Sequence, residues 1–147
     1  MKLLSKIFFE SVSEKYVVLL NVDNCYPIDM YNLLNKFQLE SDRFKYADAR
    51  VILLTKHDFL LKYPFSYYDY NKKMDHNYLC ITDSKRVVRH ISYFQNFLSI
   101  DIEEVFRNLH AINEIEKKGV LCPANWYPGE PTISQSQWDE VEKQFSK

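Results

Sequence analysis

The sequence predicts an α/β sandwich folded as one domain, residues 1–147. Short β-branched and apolar runs alternate with longer stretches of helical spacing, and their order reads βαβ(α)ββα. No repeat, linker or low-complexity tract divides the chain, and 147 residues are enough for a genuine core.

The elements follow in order. Lys15 to Val22 is a β-rich run that ends in Asp23-Asn24, so it reads as a buried strand behind an N-terminal segment, residues 1–15. Pro27 suits the first turn of a helix that runs to about Tyr46, with Met30, Leu33, Leu34 and Phe37 on one face. Arg50 to Thr55 is a second strand, and a short helix is expected around His57 to Lys62. Tyr63 to His76 is aromatic, polar and aperiodic, and reads as a loop. Tyr78 to Thr82 and Val87 to Tyr93 form a hairpin about Asp83-Ser84-Lys85. A helix from Ile100 or Asp101 to Lys118 carries Ile102, Val105, Phe106, Leu109 and Ile112 at helical spacing, and Gly119 stands where a helix-ending glycine belongs. Gln135 to Phe145 is a final amphipathic helix, with Trp138 as its expected anchor. That order is the order of a thioredoxin-like sandwich.

Composition excludes several function classes. Net charge is −1 and the cations are scattered, so the basic footprint of a nucleic-acid binder is missing. The aromatic run Phe65 to Tyr70 has no basic groove beside it and reads as surface packing rather than a base-stacking platform. No apolar run approaches the ~20 residues of a membrane span. The first residues lack a secretory apolar core and the arginines of a presequence, so an intracellular location is expected, cytoplasmic or mitochondrial. Cys25, Cys80 and Cys122 are odd in number and widely spaced, which excludes a disulfide scaffold and a CxxC-based zinc site. His57, His76, His90 and His110 share no ligand spacing; no metal and no cofactor are expected.

One segment stands apart. Gly119 to Gly129 holds both glycines, two of five prolines, Cys122 and Trp126, a mixture that helix or sheet packing does not require. A cysteine on a Pro-rich turn beside an aromatic anchor suggests a thiol meant to reach something.

Cys122-Pro123-Ala124, Trp126, Pro128-Gly129 and Thr132-Ile133 lie in ungapped register with the hairpin Leu79 to Asp83 and Val87 to Ile91, and with the ending Phe145-Ser146-Lys147. Together these motifs resemble the typical two-cysteine peroxiredoxins of the alkyl hydroperoxide reductase type. Lys15 to Leu19 and Arg50 to Leu54 extend the resemblance more weakly toward the N-terminus. It implies that Cys122 corresponds to the resolving cysteine, within a tail of residues 119–147. It also implies a variant shortened between Leu60 and Asn77, lacking a helix and a strand there.

A peroxidatic site needs a thiolate, a cation that keeps it ionised, and hydrogen-bond donors that polarise the O–O bond. In the same register Met30 replaces the peroxidatic cysteine, Pro27 the threonine, Asp23 the proline, and Asn77 and Ile100 the two arginines. The resemblance therefore implies a catalytically inactive relative kept for structure or assembly. Val87, Arg89, Ile91, Tyr93 and Trp126 are the interface candidates, for a homodimer or a hetero-oligomer with a peroxiredoxin or a larger complex. The alternative is a thiol-dependent peroxidase or redox protein using Cys25 and Cys122. Cys25 lies just before Pro27, where a helix N-terminus can lower a thiol pKa, and Arg43, Arg50 or Arg89 would have to supply the cation. Cys80, amid apolar strand residues, reads as a small buried hydrophobe.

Overall fold

The computed structural model describes residues 11–68, 76–95 and 100–146. The first ten residues of the N-terminal segment, and Asp69 and Tyr70 of the aromatic run, lie outside the described residues. By their contacts the described residues form two compact units, one through Ile102 and one from Glu103 on.

The first unit is built on a five-stranded mixed sheet of order β3-β2-β1-β4-β5. β1 (Tyr16–Asn21) and β2 (Ala49–Thr55) pair in parallel, with Leu19 opposite Ile52. β3 (Ser66–Tyr68) continues the parallel arrangement beyond β2. β4 (Asn77–Thr82) lies antiparallel to β1, and β5 (Val88–Phe94) closes the hairpin at the sheet's edge. Every residue of β1 and β4 is buried, as strands covered on both faces should be. Val17, Leu19, Ile52, Leu54, Tyr78 and Cys80 form one core cluster with Val12. Cys80 opposes Leu19 and is fully buried, the small hydrophobe its sequence context predicts.

The crossover from β1 to β2 holds two helices, α1 (Pro27–Leu39) and α2 (Ser41–Tyr46), where the periodicity predicts one. The break at Glu40 has a packing reason. Phe37 and Phe44, seven residues apart, would stand ~10 Å apart along a continuous helix. The break stacks their rings at 5.4 Å with 6° between planes, and such aromatic pairs contribute about 0.5–1.5 kcal/mol beyond burial. Pro27 opens α1 as expected, and Met30, Leu33, Leu34 and Phe37 are its buried face.

The segment after β2 also departs from expectation. Asp58–Lys62 forms a 3-10 helix rather than an α-helix. Ser66–Tyr68, read as loop, is a strand paired with Leu53–Thr55. A strand is therefore present where the resemblance implies that one is missing. The exposed edge of β2, not local alternation, dictates it: three residues are too few to show a period.

In the second unit, α3 (Ile102–Lys118) ends at Gly119, whose φ of +62° is the left-handed turn that favours glycine. Leu121 and Ile133 then exchange two backbone hydrogen bonds of 2.8 Å, tying off the loop between them. α4 (Gln135–Phe145) starts on a capping box in which Ser134 and Gln137 satisfy each other's backbone N–H groups. None of its side chains is buried. Trp138 is thus no anchor within the described chain; its indole N–H donates to Glu142 instead.

Candidate functional site

The residues that would carry chemistry gather where β1 and β2 end and α1 begins. Loops at the carboxyl ends of neighbouring parallel strands are where α/β folds place their sites. Here that place is a knot of hydrogen bonds. The buried Asp23 carboxylate accepts from the Thr55 hydroxyl at 2.7 Å and from the Lys56 backbone N–H at 3.0 Å. His57 lies beside it, with Nε2 3.4 Å from the Asp23 carbonyl oxygen and 4.0 Å from its carboxylate. The Asn21 side chain accepts from the Asp23 N–H and donates to the His76 carbonyl. Asn77, buried at the start of β4, accepts from the Asn24 N–H at 3.0 Å. These side chains fix the β1–α1 loop from three strands at once. Sequence reasoning missed the knot, although polar Asp23-Asn24 and Thr55-Lys56-His57 both follow apolar runs and so mark one end of the sheet.

The sequence-predicted thiols do not suit this place. Cys25 sits in the loop, half-buried, with its N–H bonded to the Val22 carbonyl. Burial first, then the nearby charges of Asp29 and Asp23, push its thiol up to about 11. The shift runs opposite to the lowering expected at a helix terminus, because loss of solvent and two carboxylates both disfavour the thiolate. Burial likewise pushes Cys80 up to about 11. Met30, in the first turn of α1, is 3% exposed and belongs to the core.

The arginines that could serve a thiolate here are engaged elsewhere. Arg43 pairs with Glu40, Arg50 with Glu14 and Arg89 with Asp83. Ile100 precedes α3 and carries no charge.

In the second unit, the Gly119 to Gly129 segment is a tightly tied turn. Asn125 takes a φ of +61°, the Trp126 N–H donates to the Pro123 carbonyl, and the Trp126 indole N–H donates to the Glu130 carbonyl. Arg107 grips Glu104 through two hydrogen bonds and donates to the Trp126 carbonyl. Trp126, an interface candidate in the sequence, is 3% exposed and anchors its own turn. An indole whose ring and N–H are both satisfied within the chain has nothing left for a partner. The half-exposed Cys122 thiol lies 3.8 Å from the Ala111 carbonyl. Burial and Glu114 raise its pKa, against an opposing pull from Arg107.

On β5 the other interface candidates are exposed: Val87 just before the strand, then Arg89, Ile91 and Tyr93 at alternate positions. No group of three or more potential metal ligands occurs among the described residues. No helix among them is long and apolar enough to cross a membrane.

Comparison with known proteins gives these features a context. The family model of the C-terminal domain of 1-Cys peroxiredoxin matches residues 111–147. "Peroxiredoxin 2" of Caldanaerobacter subterraneus subsp. tengcongensis is 42% identical over 53 residues, 36% of this chain. The human "Thioredoxin-dependent peroxide reductase, mitochondrial" is 38% identical over 58 residues, 40% of this chain. These matches span 24% and 23% of the two relatives' own lengths. Among solved structures, reduced 2-Cys peroxiredoxin of Plasmodium vivax superposes with a TM-score of 0.72 at 19% identity, covering 95% of this chain and 86% of the other. Yeast mitochondrial 1-Cys peroxiredoxin superposes with a TM-score of 0.74 at 17% identity, covering 95% and 84%. The fold shared with both is the mixed α/β, thioredoxin-like one.

Proposed function

We propose that the chain is a peroxiredoxin-family protein, on its carboxy-terminal sequence match, and a catalytically inactive member kept for assembly. Met30 carries the proposal. It stands in the first turn of α1, inside the core, at the position the register assigns to the peroxidatic cysteine. A thioether has no proton to lose and cannot act as the thiolate that attacks a peroxide. Its surroundings agree. Pro27 offers no hydroxyl, Asn77 is occupied with the Asn24 N–H, and Ile100 offers no cation. A peroxide reaching this end of the sheet meets no low-pKa thiol: Cys25, in the β1–α1 loop, is pushed up to about 11. Cys122 is then a resolving-type cysteine without a partner thiolate in its own chain.

The assembly half of the proposal rests on what is exposed. Ile91 and Tyr93 face outward from an edge strand, and α4 presents Trp138, Val141 and Phe145 on a helix that buries nothing. The partner is a second copy, an active peroxiredoxin or a larger complex. An intracellular compartment, cytoplasmic or mitochondrial, agrees with the names of the mitochondrial relatives.

Peroxide consumption by the purified protein, followed beside Cys25→Ser and Cys122→Ser with intact mass before and after, tests the inactive reading. The expected result is no protein-dependent turnover and no Cys25–Cys122 disulfide. Rapid turnover abolished by Cys25→Ser would overturn it in favour of the two-thiol enzyme.

A further inference from the structure

A second concavity lies at the opposite end of β2 from Asp23. β3 pairs with β2 only from Leu53 onward, so Ala49–Ile52 has no strand on that side among the described residues. The break at Glu40 turns α2 away from the line of α1. Between α2 and this strand edge a half-open cavity of about 450 Å³ remains, within the ~300–1,000 Å³ typical of small-molecule sites. Its walls are aromatic, from Phe37, Phe44, Phe65 and Tyr67, with Val51 and Ile52 from the strand.

Three charged side chains line it: Glu14, Lys45 and Arg50. Arg50 bonds Glu14 at 2.8 Å and holds that carboxyl below the usual carboxylate range, so these two charges cancel. Lys45 is exposed, and no carboxylate pairs with it among the described residues. The lining therefore offers flat apolar walls and one surplus positive charge at the mouth.

We propose that this cavity is a binding site for a small planar aromatic acid, its ring between the aromatic walls and its anionic group on Lys45. None of Cys25, Met30 and Cys122 lines the cavity, and the proposal holds whether or not the chain reduces peroxide. Aromatic packing supplies most of the affinity, and the lysine selects anion over neutral isostere.

The probe is 2-naphthoate, titrated by amide NMR shifts and by calorimetry, with uncharged 2-naphthamide as the matched control. Saturable one-to-one binding is expected, with a Kd below about 1 mM and shifts centred on Val51, Phe65 and Tyr67. Lys45→Glu is expected to weaken it about tenfold or more, and Lys45→Arg to keep it within about threefold. Ser41→Trp, at an exposed rim position, should block the mouth and abolish binding. No saturable shift up to about 10 mM would overturn the proposal. So would shifts centred elsewhere, equal binding of the amide, or naphthoate binding unchanged in both Lys45→Glu and Ser41→Trp. Both substituted residues are exposed, so loss of binding can be separated from loss of fold by the amide spectrum itself.

Discussion

A single carboxylate ties the turn of the hairpin that the sequence predicts about Asp83-Ser84-Lys85. Asp83 is buried, yet its two oxygens accept from the N–H groups of Lys85 and Val87 and from the Arg89 guanidinium at 2.7 Å. Burial alone would raise its pKa. The Val87 N–H, Arg89 and the Lys85 N–H outweigh that and hold it below the ordinary aspartate value. The sign follows directly. In the unfolded chain the group takes up its proton near pH ~3.9, while the folded chain resists, so acid favours unfolding. Stability from Asp83 is thus complete above that pH and is lost as pH falls through the lowered folded value. Asp83→Asn should cost about 1–3 kcal/mol at neutral pH, with the gap to wild type narrowing below pH ~4. Urea unfolding at three pH values checks this; a gap constant down to pH ~2.5 would refute the linkage.

Among the elements, α1 carries the test of the proposed inactivity. Met30 contributes a buried side chain to the face it shares with Leu33, Leu34 and Phe37. Shortening it in Met30→Cys should destabilise the fold by about 1–3 kcal/mol. On the proposed reading it should confer no peroxidase activity, because Pro27 still supplies no hydroxyl and neither Asn77 nor Ile100 a cation. Stopped-flow peroxide consumption is the measurement, and turnover rising well above wild type would mean that the surroundings remain competent. Elements with their own strong signal were legible from the chain alone: Ser134 and Gln137 mark the start of α4, and Gly119 marks the end of α3. β3 was not, because its identity depends on the edge of β2. Nor was the break at Glu40, which Phe37 and Phe44 impose through space. At the site, the resemblance could assign Met30, Asn77 and Ile100 to the positions of the family's sulfur and arginines, residue by residue. The knot around Asp23, and the raised thiol of Cys25 within it, needed the strands brought together.

For the whole molecule, the question is what the outward-facing apolar residues serve. An edge strand left open invites uncontrolled pairing, and β5, an edge strand of the sheet among the described residues, carries exposed Ile91 and Tyr93. If that edge pairs with a second copy, the doubly substituted Ile91→Lys, Tyr93→Lys chain should shift from dimer to monomer, with a dissociation constant raised about tenfold or more. Light scattering across a dilution series reads this directly. A wild-type chain monomeric at every concentration, with no copurifying partner, would remove the assembly half of the proposal. The net charge of −1 bears on the same point, since so small a charge does little to keep copies apart.

The burial of Cys80 has a practical consequence. With that sulfur sealed between β1 and β5, probe chemistry under native conditions is confined to two positions, Cys25 in the first unit and Cys122 in the second. A pair of spin labels or a donor and acceptor dye can be attached there without first removing any native thiol. The unaltered sequence thus carries its own molecular ruler, one mark in each unit.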